Sequence, residues 1–252
     1  MGIVEATGIV TREIKYGDSS RILTVITKEL GKISVLAGGV RSNKSGLLAA
    51  TQLFSYVQFT LFQGRGKGLY KINAGEMVNS FAGLRESLDK TAYASYFCEI
   101  ANDVVQENNP DPQQLGLLLN SLYMLTEGRC PMEQVKAVYE FRTLSVQGVL
   151  PELDRCGICG SEKPSVLDLQ NGCAYCGGCA AKAKGGTAIG SGLMQAITYI
   201  AVSDSKKIFS FRLPEKSLQY LSELGEYCIQ LHLEKRFKTL DYLKSVRALE
   251  AK

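Results

Sequence analysis

The chain has 252 residues, 45% of them apolar, enough for one large domain or two to three small ones with a real core. No segment reaches the ~18 consecutive apolar residues that a membrane helix needs, and Met1 to Thr11 lacks the charged and then apolar run of a secretion signal. The net charge of +4 is unevenly placed: residues 1–80 hold ten Lys or Arg against five acids, and the remainder holds 19 against 20.

The first 80 residues read as strands. Residues 3–14 alternate apolar and polar, Lys15-Tyr16-Gly17-Asp18 turns, and Arg21 to Thr27 is β-branched and apolar. Glu29-Leu30-Gly31-Lys32 turns again, and Ile33 to Ala37 is a third strand. A basic Gly/Ser loop, 38–46, leads to a fourth strand over 52–62. Gly64-Arg65-Gly66-Lys67-Gly68 is a hairpin turn before a fifth, Leu69 to Val78. Five short strands in this length suit a small β-barrel such as the OB-fold.

After Ser80 the period changes. Leu84, Leu88, Ala92, Tyr96, Ile100 and Val104 recur at helical spacing, and Asn108 to Pro112 breaks the helix. Further helices are expected over 115–125, 132–149, 190–202, 215–236 and 240–249. The fold class is therefore α+β and multidomain: an N-terminal OB-fold barrel (1–80), then a helical domain (81–151 and 189–252) with an inserted four-Cys zinc module (152–188).

That insert carries the sharpest motif. Cys156-Gly-Ile-Cys159 and Cys176-Gly-Gly-Cys179 lie sixteen residues apart. Two Cys-x-x-Cys knuckles at this spacing present four thiolates to one tetrahedral ion, so one structural zinc per chain is expected. A closed four-sulfur site holds a fold together and activates no water. Paired disulfides, a thiol-redox pair and another metal are the competing readings. Cys173 forms a third Cys-x-x-Cys with Cys176, but Cys156, Cys159, Cys176 and Cys179 give two symmetric knuckles. Cys98, Cys130 and Cys228 fall in apolar helical patterns and read as buried small hydrophobes. Unpaired cysteines and no secretion signal point to a reducing cytosol.

Little else could carry covalent chemistry, and the chain is not expected to be an enzyme. There is no phosphate-binding Gly-rich loop with a following Lys-Ser or Lys-Thr. The single histidine, His232, lies between two leucines on a helix, where a structural or surface role outweighs a catalytic one. Nucleic-acid binding fits better. Lys15, Arg21, Lys32, Arg41, Lys44, Arg65 and Lys67 are the candidate phosphate contacts, several on loops whose small residues let the backbone approach. Of the aromatic residues in this region, Phe59 and its alternating partners read as core. Tyr16 and Tyr70, beside bases, read as exposed and able to stack on nucleobases. A solvated basic surface is the plainer alternative.

Several runs resemble the RecO family of bacterial recombination-mediator and DNA-repair proteins. They are Gly8-Ile9-Val10 through Tyr16-Gly17-Asp18-Ser19-Ser20-Arg21 to Thr24, and Gly31 through Gly38-Gly39-Val40-Arg41. Others are Gln63-Gly64-Arg65-Gly66, and Phe141-Arg142 through Gly148-Val149-Leu150-Pro151 into Asp154-Arg155-Cys156. The resemblance implies an OB-fold, a helical domain and an inserted zinc module. It also implies binding to single- and double-stranded DNA, annealing of complementary strands, partnership with RecR, contact with the single-strand DNA-binding protein and help in loading RecA. A cytoplasmic, nucleoid-associated protein is expected. Its candidate contacts for the C-terminal tail of the single-strand DNA-binding protein are Lys235, Arg236, Lys238 and Lys244. Phe237, Leu240, Tyr242 and Leu243 would supply the apolar surface. The alternative function is a zinc-stabilised protein-interaction or RNA-binding scaffold without annealing activity.

Overall fold

The structure is a computed structural model, and it describes residues 2–18, 20–38, 47–64, 68–169, 171–182 and 186–250. The chain divides into two compact units, 1–128 with 237–252, and 129–236.

In the first unit, five strands follow from the alternating pattern: β1 (Gly2–Tyr16), β2 (Ser20–Thr27), β3 (Gly31–Ala37), β4 (Tyr56–Gln63) and β5 (Leu69–Asn79). They close in the order β1-β2-β3-β5-β4, with the long β1 pairing β2 through its second half and β4 through its first. Closure is narrow at β3–β5, a parallel contact of three residue pairs from Ser34–Leu69 to Leu36–Lys71. Val10, Leu23, Val25, Ile33, Val35, Val57, Phe59 and Leu61 fill the interior. Burying each such side chain contributes about 1.5–3 kcal/mol before entropy is counted.

The fourth strand starts later than its sequence suggests. Residues 47–50 form a short helix, α1 (Leu47–Ala50), and the chain then turns, with Phe54 at φ 70°. The Phe54 amide donates to the Val10 carbonyl at 2.8 Å and the Ser55 hydroxyl to Ala49 O at 2.9 Å. These bonds fold the turn onto β1 and leave 52–55 out of the sheet.

Beside the barrel lie α2 (Leu88–Val104), α3 (Pro112–Glu127) and, returning from the far end of the chain, α8 (Lys238–Glu250). The Ser87 and Asp111 side chains cap α2 and α3 by accepting from Lys90 and Gln114 amides. Gly31, at φ +67°, brings β3 against the segment after α2; a Cβ there would stand 2.3 Å from the Asn109 carbonyl oxygen.

The second unit contains α4 (Met132–Val146), α6 (Gly190–Val202) and α7 (Glu215–Leu233), with α4 packed on both of the others. Lys136 of α4 is buried against α7. It pairs with Glu140 at 3.0 Å and Glu226 at 3.6 Å and donates to Ser222 O at 2.8 Å, so its charge is compensated on several sides. Between α4 and α6 sits a small module of β6 (Val166–Asp168), β7 (Cys173–Tyr175), β8 (Thr187–Ala188) and the one-turn α5 (Gly177–Ala180), its strands ordered β7-β6-β8. Among the described residues, no helix is long and apolar enough to cross a membrane.

Candidate nucleic-acid interface and metal centre

The barrel places its bases in different settings. Lys15 and Arg21 are partners across β1 and β2, on the pleat face that carries Leu23 into the core, so they extend that row beyond it. Lys15 is exposed, whereas Arg21 donates to the Glu13 carboxylate at 2.6 Å. Lys32 points the other way: its ammonium donates to the Asn102 carbonyl on α2 at 2.7 Å. Its backbone joins the same junction, its amide donating to Gln106 O and its carbonyl accepting from the Asn108 amide, both at 3.2 Å. Arg41, Lys44, Arg65 and Lys67 lie outside the described residues.

The aromatic reading needs correction at one position. Tyr16 is exposed and Phe59 is core, as the alternation implies, but Tyr70 is only 5% exposed. It faces inward opposite Val35, and its hydroxyl lies 3.5 Å from the Gln63 amide nitrogen. The exposed ring that was missed is Phe62, which pairs with Ile3 on one side and Lys71 on the other. Ile14, Ile22, Leu36, Lys71, Phe62 and Ile3 are successive in-register partners around the barrel, all on its outer face. Ile14, Lys71, Phe62 and Ile3 are exposed. Such a belt, with one ring and one base, offers flat apolar surface to nucleobases and charge to phosphates. Strand parity, not closeness to a base in the chain, is the signal that would have found Phe62 and Lys71.

The four cysteines of the two knuckles converge. Cys156, Cys159, Cys176 and Cys179 have sulfur atoms all within 4.8 Å of one another, and the Cys159 and Cys176 sulfurs are 3.7 Å apart. A tetrahedron with metal–sulfur bonds of about 2.3 Å has edges of about 3.8 Å, so the cluster could hold one metal ion. The local backbone explains the convergence. The Cys156 amide donates to Ser161 O at 2.8 Å and the Gly160 amide to Cys156 O at 2.9 Å, with Gly160 at φ 72°. The second knuckle turns through Cys179 and Ala180 amides that donate to Cys176 O. No described cysteine is in a disulfide.

Crowding splits the thiols. Hydrogen bonding from the backbone of Cys176, then Cys159, holds the Cys156 thiol down to about 6. Hydrogen bonding with Cys159, then Cys176, pushes Cys179 up to about 12. Four sulfurs this close cannot all ionise side by side unless a cation joins them. Cys173 stands outside the four; its sulfur lies 3.3 Å from the Asn171 carbonyl oxygen. Cys98 and Cys228 are buried, as expected, but Cys130 is only half-buried.

Lys235 and Arg236 close the second unit, while Lys238 and Lys244 lie on α8 in the first. The apolar surface expected beside them is largely spent. Phe237, Leu240 and Leu243 are buried, and the Phe237 ring meets Tyr96 of α2 edge-on at 5.6 Å. Only Tyr242 of that group is exposed, because the helix turns its apolar stripe into the unit's core. His232, near the end of α7, is half-buried.

Two family models together span most of the chain. Residues 1–81 match the family model described as Recombination protein O N terminal, and residues 85–241 match Recombination protein O C terminal. The chain is 37% identical to the DNA repair protein RecO of Acetivibrio thermocellus, over 98% of each chain. It is 32% identical to that of Caldicellulosiruptor saccharolyticus, over 98% of this chain and all of the other. Over 153 residues it is 38% identical to that of Listeria welshimeri, 61% of this chain and 59% of the other.

Proposed function

We propose, from the premise that the chain belongs to the Recombination protein O family, that it is a recombination mediator in DNA repair that binds single- and double-stranded DNA. It is not an enzyme; its work is to bring strands together. The observation that carries this reading is the match to the family over both halves of the chain. Of the seven candidate bases, Lys15, Arg41, Lys44, Arg65 and Lys67 neutralise phosphates of two strands, while Arg21 is held by Glu13 and Lys32 by Asn102; complementary bases then meet without a covalent step. The five-stranded barrel is an OB-fold; its strand order, the exposed belt with Phe62 and the exposed Tyr16 support that assignment. The helical segments 81–151 and 189–252, shared between the two compact units, are interrupted by the metal module at 152–188.

The ion in that module is zinc, one per chain, held by Cys156, Cys159, Cys176 and Cys179. Four thiolates at near-tetrahedral separation are the ligand set that zinc takes in closed structural sites. Zinc there fixes the two knuckles against each other; the chain's own backbone amides do the rest of the positioning.

The protein acts in the bacterial cytoplasm at the nucleoid, works with RecR to load RecA, and meets the C-terminal tail of the single-strand DNA-binding protein. Lys235, Arg236, Lys238 and Lys244 are the candidate contacts for that acidic tail, and Tyr242 on the same helix as the last two is exposed. Annealing of two complementary labelled oligonucleotides tests the main reading. The protein should accelerate annealing without added nucleotide or divalent metal, and no acceleration at any protein concentration would refute it.

A further inference from the structure

The second unit holds a groove that neither DNA binding nor the metal uses. Its floor and walls come from α6 and from the segment 151–164 that contains the first knuckle. The main hollow has a volume of about 590 Å³, and a second of about 330 Å³ adjoins it, sharing Leu153, Asp154, Thr198 and Val202. Two adjoining hollows suit an extended segment better than a compact small molecule.

The lining is mostly apolar. Leu153 and Met194 form buried floor, Tyr199 walls one side, and Val202 is 76% exposed at the lip. The groove is built rigidly. The Tyr199 hydroxyl donates to Lys207 O at 2.8 Å and its ring packs edge-on against Phe211 at 5.9 Å. The Arg142 guanidinium of α4 donates to the Ile200 and Ala201 carbonyls, which holds the C-terminal end of α6 in place. Opposite, the hydrogen bond that the Cys156 amide donates to Ser161 O fixes the segment that carries Asp154 and Glu162.

The charges are lopsided. Glu152, Asp154 and Glu162 line the two hollows, against Lys163 alone. All four are exposed, so their field reaches a ligand approaching from solvent. Arg155 offsets them only loosely, at 3.8 Å from both Asp154 and Glu162. Exposed pairs at that distance hold little energy and yield readily to a better cation.

We propose that this groove docks a short extended peptide of a partner protein, with apolar anchor side chains in the hollows and Lys or Arg residues against Glu152, Asp154 and Glu162. Apolar anchors give the affinity and the carboxylates give sign selectivity and on-rate.

The test uses the full-length protein and two labelled peptides read by fluorescence anisotropy. One alternates Lys with Leu and Phe; the other carries Glu in place of every Lys. The basic peptide should bind, and the acidic one should not. Gln195→Trp, at an exposed position on the groove wall, should weaken binding about tenfold or more by filling the main hollow. The double variant Asp154→Lys with Glu162→Lys should weaken the basic peptide and admit the acidic one. All changed residues are exposed, and an unchanged Tm shows that each variant is folded. Equal binding of both peptides, preference for the acidic one, or binding undiminished by Gln195→Trp overturns the proposal.

Discussion

Lys32 is the position where charge and structure make opposite predictions. As one of seven proposed phosphate contacts, it should contribute to DNA affinity in proportion to its charge. Its ammonium, however, donates to the Asn102 carbonyl at 2.7 Å, at a junction where its backbone also bonds Gln106 and Asn108. Lys32→Met keeps the aliphatic stem and removes the charge and the donor. A hydrogen bond from a charged group contributes about 1.5–3 kcal/mol, and half-burial of Lys32 reduces this to about 1–2 kcal/mol. At about 2–4 °C per kcal/mol for a chain of this size, Tm should fall by about 2–8 °C. The slope of log affinity for duplex DNA against log salt should stay within a few tenths of the wild-type value. Differential scanning fluorimetry and a DNA titration at several salt concentrations measure both. An unchanged Tm with a slope shallower by about 0.9 would refute the tether and make Lys32 a phosphate contact.

Four further outcomes follow from the metal module and the other cysteines. Cys176→Ser should lose the metal and aggregate or melt well below wild type, since binding energy at such a site is also folding energy; elemental analysis and light scattering read both. Cys173→Ser should keep one zinc per chain, and loss of zinc there would move the ligand set. In native protein, iodoacetamide should modify Cys173 first: burial pushes Cys228 up to about 12 and Cys98 higher still, while Cys130 is pushed up to about 11. Mass spectrometry showing Cys98 or Cys228 labelled before unfolding would contradict their burial. A chelator should expose the four clustered thiols to the same reagent.

Much of this was legible because its signals are local. Alternation gave the five strands, since a half-buried strand must change face at each residue, and Cys-x-x-Cys spacing needs only a tight turn. What stayed hidden depends on distant partners. Nothing near Phe54 in the chain announces that Val10 will accept its amide and delay the start of β4 to Tyr56. Tyr70 looked exposed beside Lys71, yet barrel closure opposite Val35 turns it inward. The burial of Phe237, Leu240 and Leu243 follows from α8 returning to α2 across some 130 residues of chain, which no short window reveals. The belt through Ile14, Phe62 and Lys71 likewise exists only once four strand registers are known.

The central claim, that the barrel binds DNA through phosphates, is tested most directly by titrating one duplex and one single strand at several salt concentrations. Seven bases set the ceiling; with Arg21 held by Glu13 and Lys32 by Asn102, five proposed contacts remain. Log affinity should then fall linearly with log salt, with slopes of about −4.5 for duplex and about −3.5 for single strand. Arg41→Ala with Lys44→Ala, and Arg65→Ala with Lys67→Ala, should each flatten the duplex slope by about 1.8, equally for all sequences. An affinity indifferent to salt, or slopes unmoved in both double variants, would contradict the account.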